Sequence, residues 1–268
     1  MNREEYERMY RVEDTHWWYR SLHALVEDFL GAYPPPPPSA NQHRPASRAL
    51  IDIGCGTGAL LNQLDRHGQV FGIDLAPEAL ACCRKRSRTR LAQASAMALP
   101  FPAENFQAAF MMDVLYHLNV ADPMTPLREA HRVLQPGGLL FVNVPAYAWL
   151  YSSHDHAVHT ARRFTRTQLV EYLQQAGFEA VRISYWNSLL FPIVAAVRLA
   201  RKWMPNRGSD LPEEGGSALN TPLLFLLSVE RFLIRRCSLP FGLSIFAVAE
   251  KQLSFSSEEK KETKKSQD

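Results

Sequence analysis

The sequence has few cysteines, little net charge and no long apolar run. Its four cysteines lack both paired spacing and the C-x-x-C spacing of a metal site, so we expect reduced thiols in a cytoplasmic protein. A formal charge of +3 over 268 residues gives no indication of nucleic-acid binding. The longest apolar stretches, 189–200 and 222–229, are shorter than the roughly 18 to 20 residues that span a bilayer. The charged first ten residues also lack the apolar core of a secretory signal. We therefore expect a protein that is soluble or peripheral to a membrane.

The chain is long and apolar enough, at 46% hydrophobic residues, to bury one large domain. Residues 1–33 have helical periodicity, and 34–47 begin with five consecutive prolines that predict a stiff surface linker. The domain itself is expected over 48–253, with a helical insertion at about 187–238. Residues 254–268 are rich in charge and lack apolar anchors, which predicts a disordered tail.

Strand and helix patterns alternate from Arg48 onward. Strands are predicted near 48–53, 69–74, 91–94 and 106–113, and a helix over "DPMTPLREAHRVLQPGG" leads into a fifth strand, "LLFVNV". Repeated βα units of this kind imply a parallel sheet that is covered by helices on both faces. The chain is thus predicted to have an α/β fold.

The pattern changes after the fifth strand. A long polar and aromatic loop precedes a helix in which Thr165 and Gln168 occupy capping-box positions and Gly177 is the stop. A sixth strand, "EAVRISYW", is followed by two helical segments at about 188–204 and 221–237, and "LSIFAVAEK" is the last strand.

The stretch "IDIGCGTGALL" places Gly54, Gly56 and Gly58 between a strand and a helix. Such a turn lets the backbone approach a nucleotide closely and directs amide hydrogens at it. With Ala59, the turn also fits the loose G-x-G-x-x-A dinucleotide fingerprint. The turn alone is therefore compatible with a nicotinamide dinucleotide and with S-adenosylmethionine.

Two acidic residues near this turn bear on the choice. Asp74 ends the second strand and can accept hydrogen bonds from both hydroxyls of a ribose. Asp52 lies just before the glycines, where its charge would repel a pyrophosphate but suit a ligand with an ammonium and a sulfonium. The pair favours S-adenosylmethionine without excluding NAD.

Four segments in order resemble the class I S-adenosylmethionine-dependent methyltransferases of the methyltransferase type 11 group. They are "IDIGCGTG", "FGID", "ALPFPAENFQAAFMMDVLYHL" and "REAHRVLQPGGLLFVNVP". The resemblance is strong over 48–145 and weaker up to the final strand. It implies a Rossmann-like, doubly wound sheet of seven strands with an antiparallel last strand, an N-terminal helical lid, and a V-L-x-H-L helix after the fourth strand.

The resemblance also implies a cofactor site. Its residues would be Asp52, Gly54, Cys55, Gly56, Gly58, Asp74, Leu75, Ser95, Ala96, Asp113, Trp18 and Arg20. In this scheme Asp52 reaches the amino group, Asp74 the ribose, and Leu75 packs beside the adenine, while Trp18 and Arg20 belong to the lid. Ser95 departs from the aspartate that often binds the adenine amino group in this family.

Methyl transfer needs a base only if the acceptor is a hydroxyl or an amine that must lose a proton. The candidates are His117, Asp155 and His159, with His154 and His156 in the same loop. Each has a plainer alternative, which is a capping or packing role for His117 and a solvated surface for the loop. No metal is expected. Arg162 and Arg163 could hold an anionic acceptor or pair with acidic neighbours.

The helical insertion leaves two hypotheses for the acceptor. It could be a cap that completes the acceptor site, or an apolar surface for a membrane or a lipid-linked acceptor. The second rests on the basic residues beside the apolar runs, Arg198, Arg201, Lys202, Arg231, Arg235 and Arg236. The sequence therefore predicts methylation of a small-molecule acceptor, or of a lipid- or glycan-linked one, at oxygen. An NAD-dependent oxidoreductase is the alternative, and no nucleic-acid partner is expected.

Overall fold

A computed structural model describes residues 3–38, 47–152, 155, 159–201 and 219–252. Parts of the predicted linker, the predicted tail, and the loop residues His154 and His156 lie outside these residues, as does Lys202. Among the helices that are described, none combines the length and the apolar character needed to cross a bilayer.

Within these ranges the chain forms eight α-helices and seven strands. The helices are α1 Arg3–Val12, α2 Trp17–Ala32, α3 Ala59–Leu64, α4 Pro77–Lys85, α5 Met124–Val133, α6 Arg166–Gln175, α7 Phe191–Arg201 and α8 Asn220–Ile234. The strands are β1 Ala49–Ile53, β2 Gln69–Asp74, β3 Leu91–Gln93, β4 Phe106–Met112, β5 Leu134–Pro145, β6 Phe178–Trp186 and β7 Ser244–Lys251.

The strands form one sheet in the order β3-β2-β1-β4-β5-β7-β6. β1 is parallel to β2 and β4, whereas β7 is antiparallel to β5 and β6. The predicted fold, with its antiparallel last strand, is confirmed. Strand order reverses beside β1, which places a ligand crevice at the carboxyl ends of β1 and β4.

Helices cover both faces of the sheet. Successive residues of a strand point to opposite faces, so β1 contributes side chains to a buried cluster on each side. Ile51 and Ile53 belong to one buried cluster, together with Leu127 of α5 and Leu169 of α6. Leu50 of the same strand belongs to the other cluster, which contains the buried residues of α2 and α3. Burial on both faces explains why β1 is apolar along most of its length.

The helix α6 begins and ends as its sequence predicts. The Thr165 hydroxyl accepts a hydrogen bond from the Gln168 backbone N–H (3.3 Å), and the Gln168 side chain accepts one from the Thr165 N–H (2.9 Å). Gly177 follows the helix with φ +89°, a left-handed conformation that glycine adopts without strain.

Two boundaries differ from the prediction. α5 ends at Val133 rather than at the glycine pair, because Leu134 already pairs with Phe106 of β4. The predicted V-L-x-H-L helix after β4 is wrong, since residues 114–120 contain turns and an isolated bridge instead of a helix. His117 instead makes an antiparallel bridge with Thr160 of the loop that follows β5. Pairing between two loops distant in sequence has therefore replaced a local helix.

Candidate active site

The glycine turn packs closely against its surroundings. Gly54, Gly56 and Gly58 have φ angles of +77°, +52° and +86°. A Cβ built at Gly54 would lie 2.5 Å from Cγ2 of Val114, just after β4, and one at Gly58 would lie 2.8 Å from Sγ of Cys83. The positive φ and the close approach together explain why glycine is needed here.

Asp74 is oriented by the turn. Its Oδ2 accepts a hydrogen bond from the Gly56 N–H (3.0 Å), and its Oδ1 accepts one from the Ala76 N–H (2.9 Å). Burial raises the pKa of Asp74, and these backbone hydrogen bonds oppose the rise. Both oxygens retain a lone pair, so the carboxylate can still accept from two neighbouring hydroxyls. Leu75 beside it is 50% exposed, which leaves an apolar surface uncovered.

Asp52 is 2% exposed, and its carboxylate has no hydrogen-bond donor among the residues that the structure describes. Burial, and then the charges of Glu13 and Asp74, raise the pKa of Asp52 to about 8. A buried carboxylate of this kind is costly unless a cation or a donor is placed against it. The arrangement therefore fits a ligand that brings a positive charge.

Ser95 and Ala96 follow β3, beside Asp74. The Ala94 N–H donates to the Asp74 carbonyl (3.1 Å), and the Ser95 hydroxyl accepts from the Met97 N–H (3.2 Å). The hydroxyl hydrogen of Ser95 remains available to a ligand. The position can thus offer a donor, in contrast to the aspartate that the resemblance implies.

The N-terminal helices lie on the glycine turn. A Cβ built at Gly56 would lie 3.0 Å from Cε of Met9, and the Thr57 hydroxyl donates to the buried Glu13 carboxylate. Burial raises the pKa of Glu13 to about 7. Arg86 holds the same corner through Asp14 (Nη1–Oδ2 2.6 Å) and the Thr57 carbonyl (3.0 Å). We call these contacts of Arg86 and Glu13 the latch; neither residue was predicted from the sequence.

Trp18 and Arg20 lie on α2 in different surroundings. Trp18 stacks on Trp186 of β6, with ring centroids 4.9 Å apart. Arg20 lines a surface cleft of about 390 Å³ between α2, α3 and α8, whose lining includes no residue of the glycine turn. Its location argues against the predicted contact with the cofactor. The backbone N–H of the neighbouring Trp17 donates to Asn220 Oδ1 (2.7 Å).

Strained backbone collects at the carboxyl edge of the sheet. Asp113, Tyr147, His159 and Asn187 all have φ between +56° and +62°, and they follow β4, β5 or β6. Non-glycine residues in this region cost about 1–3 kcal/mol each and are typical of functional sites. The strain marks this edge as the candidate site.

Asp113 is held by residues from two other strands. Asn143 Nδ2 donates to Asp113 Oδ1 (2.8 Å), and Trp186 Nε1 donates to Asn143 Oδ1 (2.7 Å). Burial raises the pKa of Asp113 to about 7, and the Asn143 hydrogen bond opposes the rise. Neither Asn143 nor Trp186 was predicted, because each reads in the sequence as an ordinary strand residue.

His117 and His159 are brought together by the loop pairing, with ring centroids 5.8 Å apart. His117 Nδ1 accepts a hydrogen bond from the Asn119 N–H (3.2 Å). Burial is the main reason that the pKa of His117 falls to about 4. The ring is therefore neutral near pH 7 with its hydrogen on Nε2, which makes it a donor toward a ligand.

Asp155 is buried in an ion pair with Arg163. Arg163 Nε donates to Oδ1 (2.9 Å) and Nη2 donates to Oδ2 (3.0 Å), while Nη1 donates to the Ala146 carbonyl (2.9 Å). Both carboxylate oxygens are thus engaged, which argues against the predicted role of Asp155 as a base. Of the two roles considered for Arg163, binding an anionic acceptor or pairing with an acidic neighbour, the structure shows the second. Arg162 Nη2 donates to the Ala121 carbonyl (2.9 Å).

Comparison with known proteins decides between the two nucleotides. The family model described as "Methyltransferase domain" matches residues 51–142. The 2-phytyl-1,4-naphtoquinone methyltransferase of Thermosynechococcus vestitus is 31% identical over 172 residues, covering 52% of this chain and 75% of that protein. The chain belongs to the class I S-adenosylmethionine-dependent methyltransferases.

One further protein is similar in sequence, and one solved structure is similar in fold. The ubiquinone biosynthesis O-methyltransferase of Ruegeria pomeroyi is 33% identical over 159 residues, which cover 51% of this methyltransferase and 62% of the relative. The methyltransferase in a complex with the Haloferax volcanii Trm112 methyltransferase activator superposes with a TM-score of 0.58. It covers 93% of this chain and 95% of that chain at 21% identity, a likeness of fold. The NAD-dependent alternative gains no support from these proteins.

The cofactor of this class, S-adenosylmethionine, fits the residues of the turn. The unpartnered Asp52 carboxylate suits its cationic end, and Asp74 suits its ribose. Cys55 is buried behind the turn, where its N–H donates to the Ile73 carbonyl (2.8 Å), so its thiol is expected to pack rather than to bind. Across the ranges that are described, no group of three or more His, Cys, Asp or Glu side chains could hold a metal ion.

The raised pKa of Asp52 makes the stability of this methyltransferase depend on pH. A folded-state pKa of about 8, above the ordinary 3.8, means that folding favours the protonated acid. This stabilising contribution is fully present below about pH 4 and is lost as the pH rises to about 8. We expect Asp52→Asn to stabilise the ligand-free protein by about 1–3 kcal/mol at pH 8, an advantage that shrinks toward pH 4.

The same substitution should weaken binding of S-adenosylhomocysteine, which keeps the amino group, by about tenfold or more. Urea denaturation at pH 4, 6 and 8 and isothermal titration calorimetry measure the two effects. Glu7→Gln, on the exposed side of α1, is the control and should change neither. Equal free energies of unfolding for wild type and Asp52→Asn at every pH would show that burial of the charged carboxylate does not destabilise the protein.

Proposed function

We propose that this methyltransferase transfers the methyl group of S-adenosylmethionine to an oxygen of a small, lipid-linked or lipid-like acceptor. The observation that carries the proposal is an apolar stripe on the outer side of the helical insertion. Its position beside the N-terminal helices, and the names of two relatives, support it.

The stripe runs along α8. Pro222, Phe225, Val229 and Phe232 are all exposed and recur at helical spacing, and Phe225 is 71% exposed. On α7, Ile193 is 66% exposed and Val197 is exposed beside it. Side chains at such intervals share one helix face. Exposed aromatic and aliphatic groups in this pattern are typical of a helix that lies on a lipid surface.

The insertion is tied to the lid. Asn220 Nδ2, at the start of α8, donates to the Thr15 carbonyl between α1 and α2 (2.8 Å). Glu230 Oε2, further along α8, accepts from the Leu189 N–H just after β6 (2.9 Å). An acceptor that partitions into this apolar surface would therefore meet the lid and the carboxyl edge of the sheet.

Most of the basic residues that suggested a membrane surface have internal partners. Arg231 and Arg235 pair with Asp28 of α2 (3.3 and 3.8 Å), and Arg198 donates to the Leu150 carbonyl (2.9 Å). Arg236 lies over the Phe232 ring at 3.6 Å. These contacts favour the hypothesis that the insertion is a cap on the acceptor site. The outer face of the insertion is then apolar rather than strongly basic.

The two relatives act, by their names, in quinone chemistry. One is a 2-phytyl-1,4-naphtoquinone methyltransferase and the other a ubiquinone biosynthesis O-methyltransferase. The first name specifies a naphthoquinone ring that carries a phytyl group, and the second specifies methyl transfer to oxygen. They support an acceptor with an oxygen at the ring and an apolar group that the insertion could receive.

The bound sulfonium supplies an activated methyl group with a neutral leaving group. The residues of this chain align the acceptor with the methyl group and exclude water from the site. Asp52 and Asp74 would fix the two ends of the cofactor, and α1 covers the turn through Met9. His117, a neutral donor at Nε2, can hydrogen-bond an oxygen of the acceptor.

Flotation with vesicles of phosphatidylcholine and phosphatidylglycerol at low salt tests the apolar surface. We expect the wild type to float and the Phe225→Ser, Phe232→Ser double variant to partition at least tenfold less, because burial of one phenylalanine contributes about 1.5–3 kcal/mol. Val181→Ser, at a residue of β6 that is 39% exposed, is the matched control and should float like the wild type. A wild type that stays with the lipid-free fraction would exclude the lipid surface and leave a dissolved acceptor.

A further inference from the structure

We propose that Asp113 is the catalytic base that takes the proton of the acceptor hydroxyl, and that Asn143 and Trp186 position it. The inference rests on the proposed O-methylation and replaces the cofactor-binding role that the resemblance implies for Asp113. It stands on three observations: the place of Asp113 beside the glycine turn, its hydrogen bonds, and the engagement of two competing bases.

Asp113 lies next to the turn that would hold the cofactor. It follows β4, which is paired with β1, and its neighbour Val114 is the residue that a Cβ at Gly54 would strike. The φ of Asp113 is +62°, a conformation that a non-glycine residue keeps only when its surroundings enforce it. Here the enforcing contact includes the Asp113 N–H, which donates to the Asn143 carbonyl (3.1 Å).

The side chain of Asp113 is fixed at one oxygen. Oδ1 accepts from Asn143 Nδ2, and the Asn143 amide is itself oriented by the Trp186 indole N–H. Oδ2 accepts no hydrogen bond from any residue in the described ranges. Asn143 and Trp186 are fully buried, while Asp113 itself is only partly covered. One oxygen is thus anchored and the other is available to a ligand.

Two of the other candidate bases are already engaged by protein donors, Asp155 at both oxygens and His117 at Nδ1. Both Asp155 oxygens accept from Arg163. His117 Nδ1 accepts from the Asn119 N–H, so its Nε2 carries the hydrogen. His117 can orient the acceptor oxygen as a donor, but it cannot take a proton from it. Asp113, which the resemblance assigns to the cofactor site, has the free oxygen that a base requires.

The proton transfer balances without a further reactant. The O–H bond of the acceptor breaks, its electron pair stays on the acceptor oxygen, and the proton joins Asp113 Oδ2. The acceptor oxygen forms its bond to the methyl carbon as the carbon–sulfur bond breaks, with that pair left on a neutral sulfur. The Asp113 carboxylic acid then releases its proton to water.

Within the described part of the chain, the titratable groups that face Asp113 are two tyrosines, and neither of them carries a charge that would fix the ionisation state of Asp113 near neutral pH. Burial is the main cause of the raised pKa of Tyr19, from α2, and of Tyr116, from the turn after β4, and the nearby charge of Asp113 adds to both. Both phenols therefore stay neutral. A base whose pKa lies near the working pH combines a sufficient ionised fraction with a sufficient driving force for proton transfer.

Carboxyl ¹³C NMR of aspartate-labelled protein bound to S-adenosylhomocysteine measures the titration of Asp113 directly. The signal is assigned by its loss in Asp113→Asn, and we expect it to titrate near pH 7, far above the ordinary value of about 3.9. In Asn143→Ala the midpoint should rise by about one unit, because a donor to the carboxylate is lost. Trp186→Phe keeps the stacking ring and should shift the midpoint in the same direction. An Asp113 signal that titrates near pH 4 would overturn the proposal.

Calorimetry with S-adenosylhomocysteine separates a base from a cofactor ligand. We expect Asp113→Asn to change its affinity less than threefold, whereas Asp52→Asn lowers it at least tenfold. Equal losses in the two variants would place Asp113 on the cofactor and refute its role as the base. Failure of the wild type to bind S-adenosylhomocysteine would instead count against the proposed function.

Discussion

Replacing Gly54 by alanine should abolish measurable binding of S-adenosylhomocysteine and lower the free energy of unfolding by about 2–4 kcal/mol. The new Cβ would be held at φ +77° and would lie 2.5 Å from Cγ2 of Val114. Relief of that clash must move either the turn or the segment that begins with Asp113. Urea denaturation and isothermal titration calorimetry measure the two losses.

Gly31→Ala is the matched control for this substitution. Gly31 lies in α2, and a Cβ built there meets no atom within 4 Å. Alanine is favoured over glycine in a helix by about 0.5–1 kcal/mol, so the control should be neutral or slightly stabilising. Similar stabilities for the two variants would mean that the turn has more room than the structure gives it.

Replacing Arg163 by methionine should lower the free energy of unfolding by about 3–5 kcal/mol, because removal of one partner leaves the buried charge of Asp155 uncompensated. Both side chains of this pair are almost fully buried, and Arg163 is also a hydrogen-bond donor to the Ala146 carbonyl. The loop that carries His159 would lose its anchor with it, since the Thr160 N–H donates to the Asp155 carbonyl (2.8 Å). Thermal and urea unfolding check the prediction.

A second substitution tests the reason for that loss. Asp155→Asn added to Arg163→Met removes the unpaired charge and should recover part of the stability, because a neutral pair costs less to bury than a single ion. Arg3→Met breaks an exposed ion pair with Glu7 and should cost less than about 1 kcal/mol. No recovery in the double variant would locate the cost in the packing of Arg163 rather than in charge.

The parts of the site that the sequence predicts are those that lie close together along the chain. Asp52, Gly54 and Gly56 occupy one strand and the turn after it, so their spacing alone predicts that they face the same crevice. Asp74 ends the adjacent strand, and the parallel register of β1 and β2 brings it to the turn. Strand periodicity and turn chemistry are sufficient for these residues.

The remaining parts depend on side chains that meet across the fold. Glu13 and Thr57 are 44 residues apart, and Asn143 and Trp186 are 43 apart. Periodicity places each residue on its element but does not show which polar groups pair over such distances. The turns at His117 have the same cause, since their partner Thr160 comes from a separate loop. The pairing of Asp155 with Arg163 could not be predicted either, because the sequence does not distinguish this arginine from the others.

The latch of Arg86 and Glu13 has a consequence for the pace of the reaction. α1 lies on the glycine turn. We therefore expect that spent S-adenosylhomocysteine is replaced only when these contacts open. The residence time of the product would then set the turnover rate, and methyl transfer itself would not be the slow step.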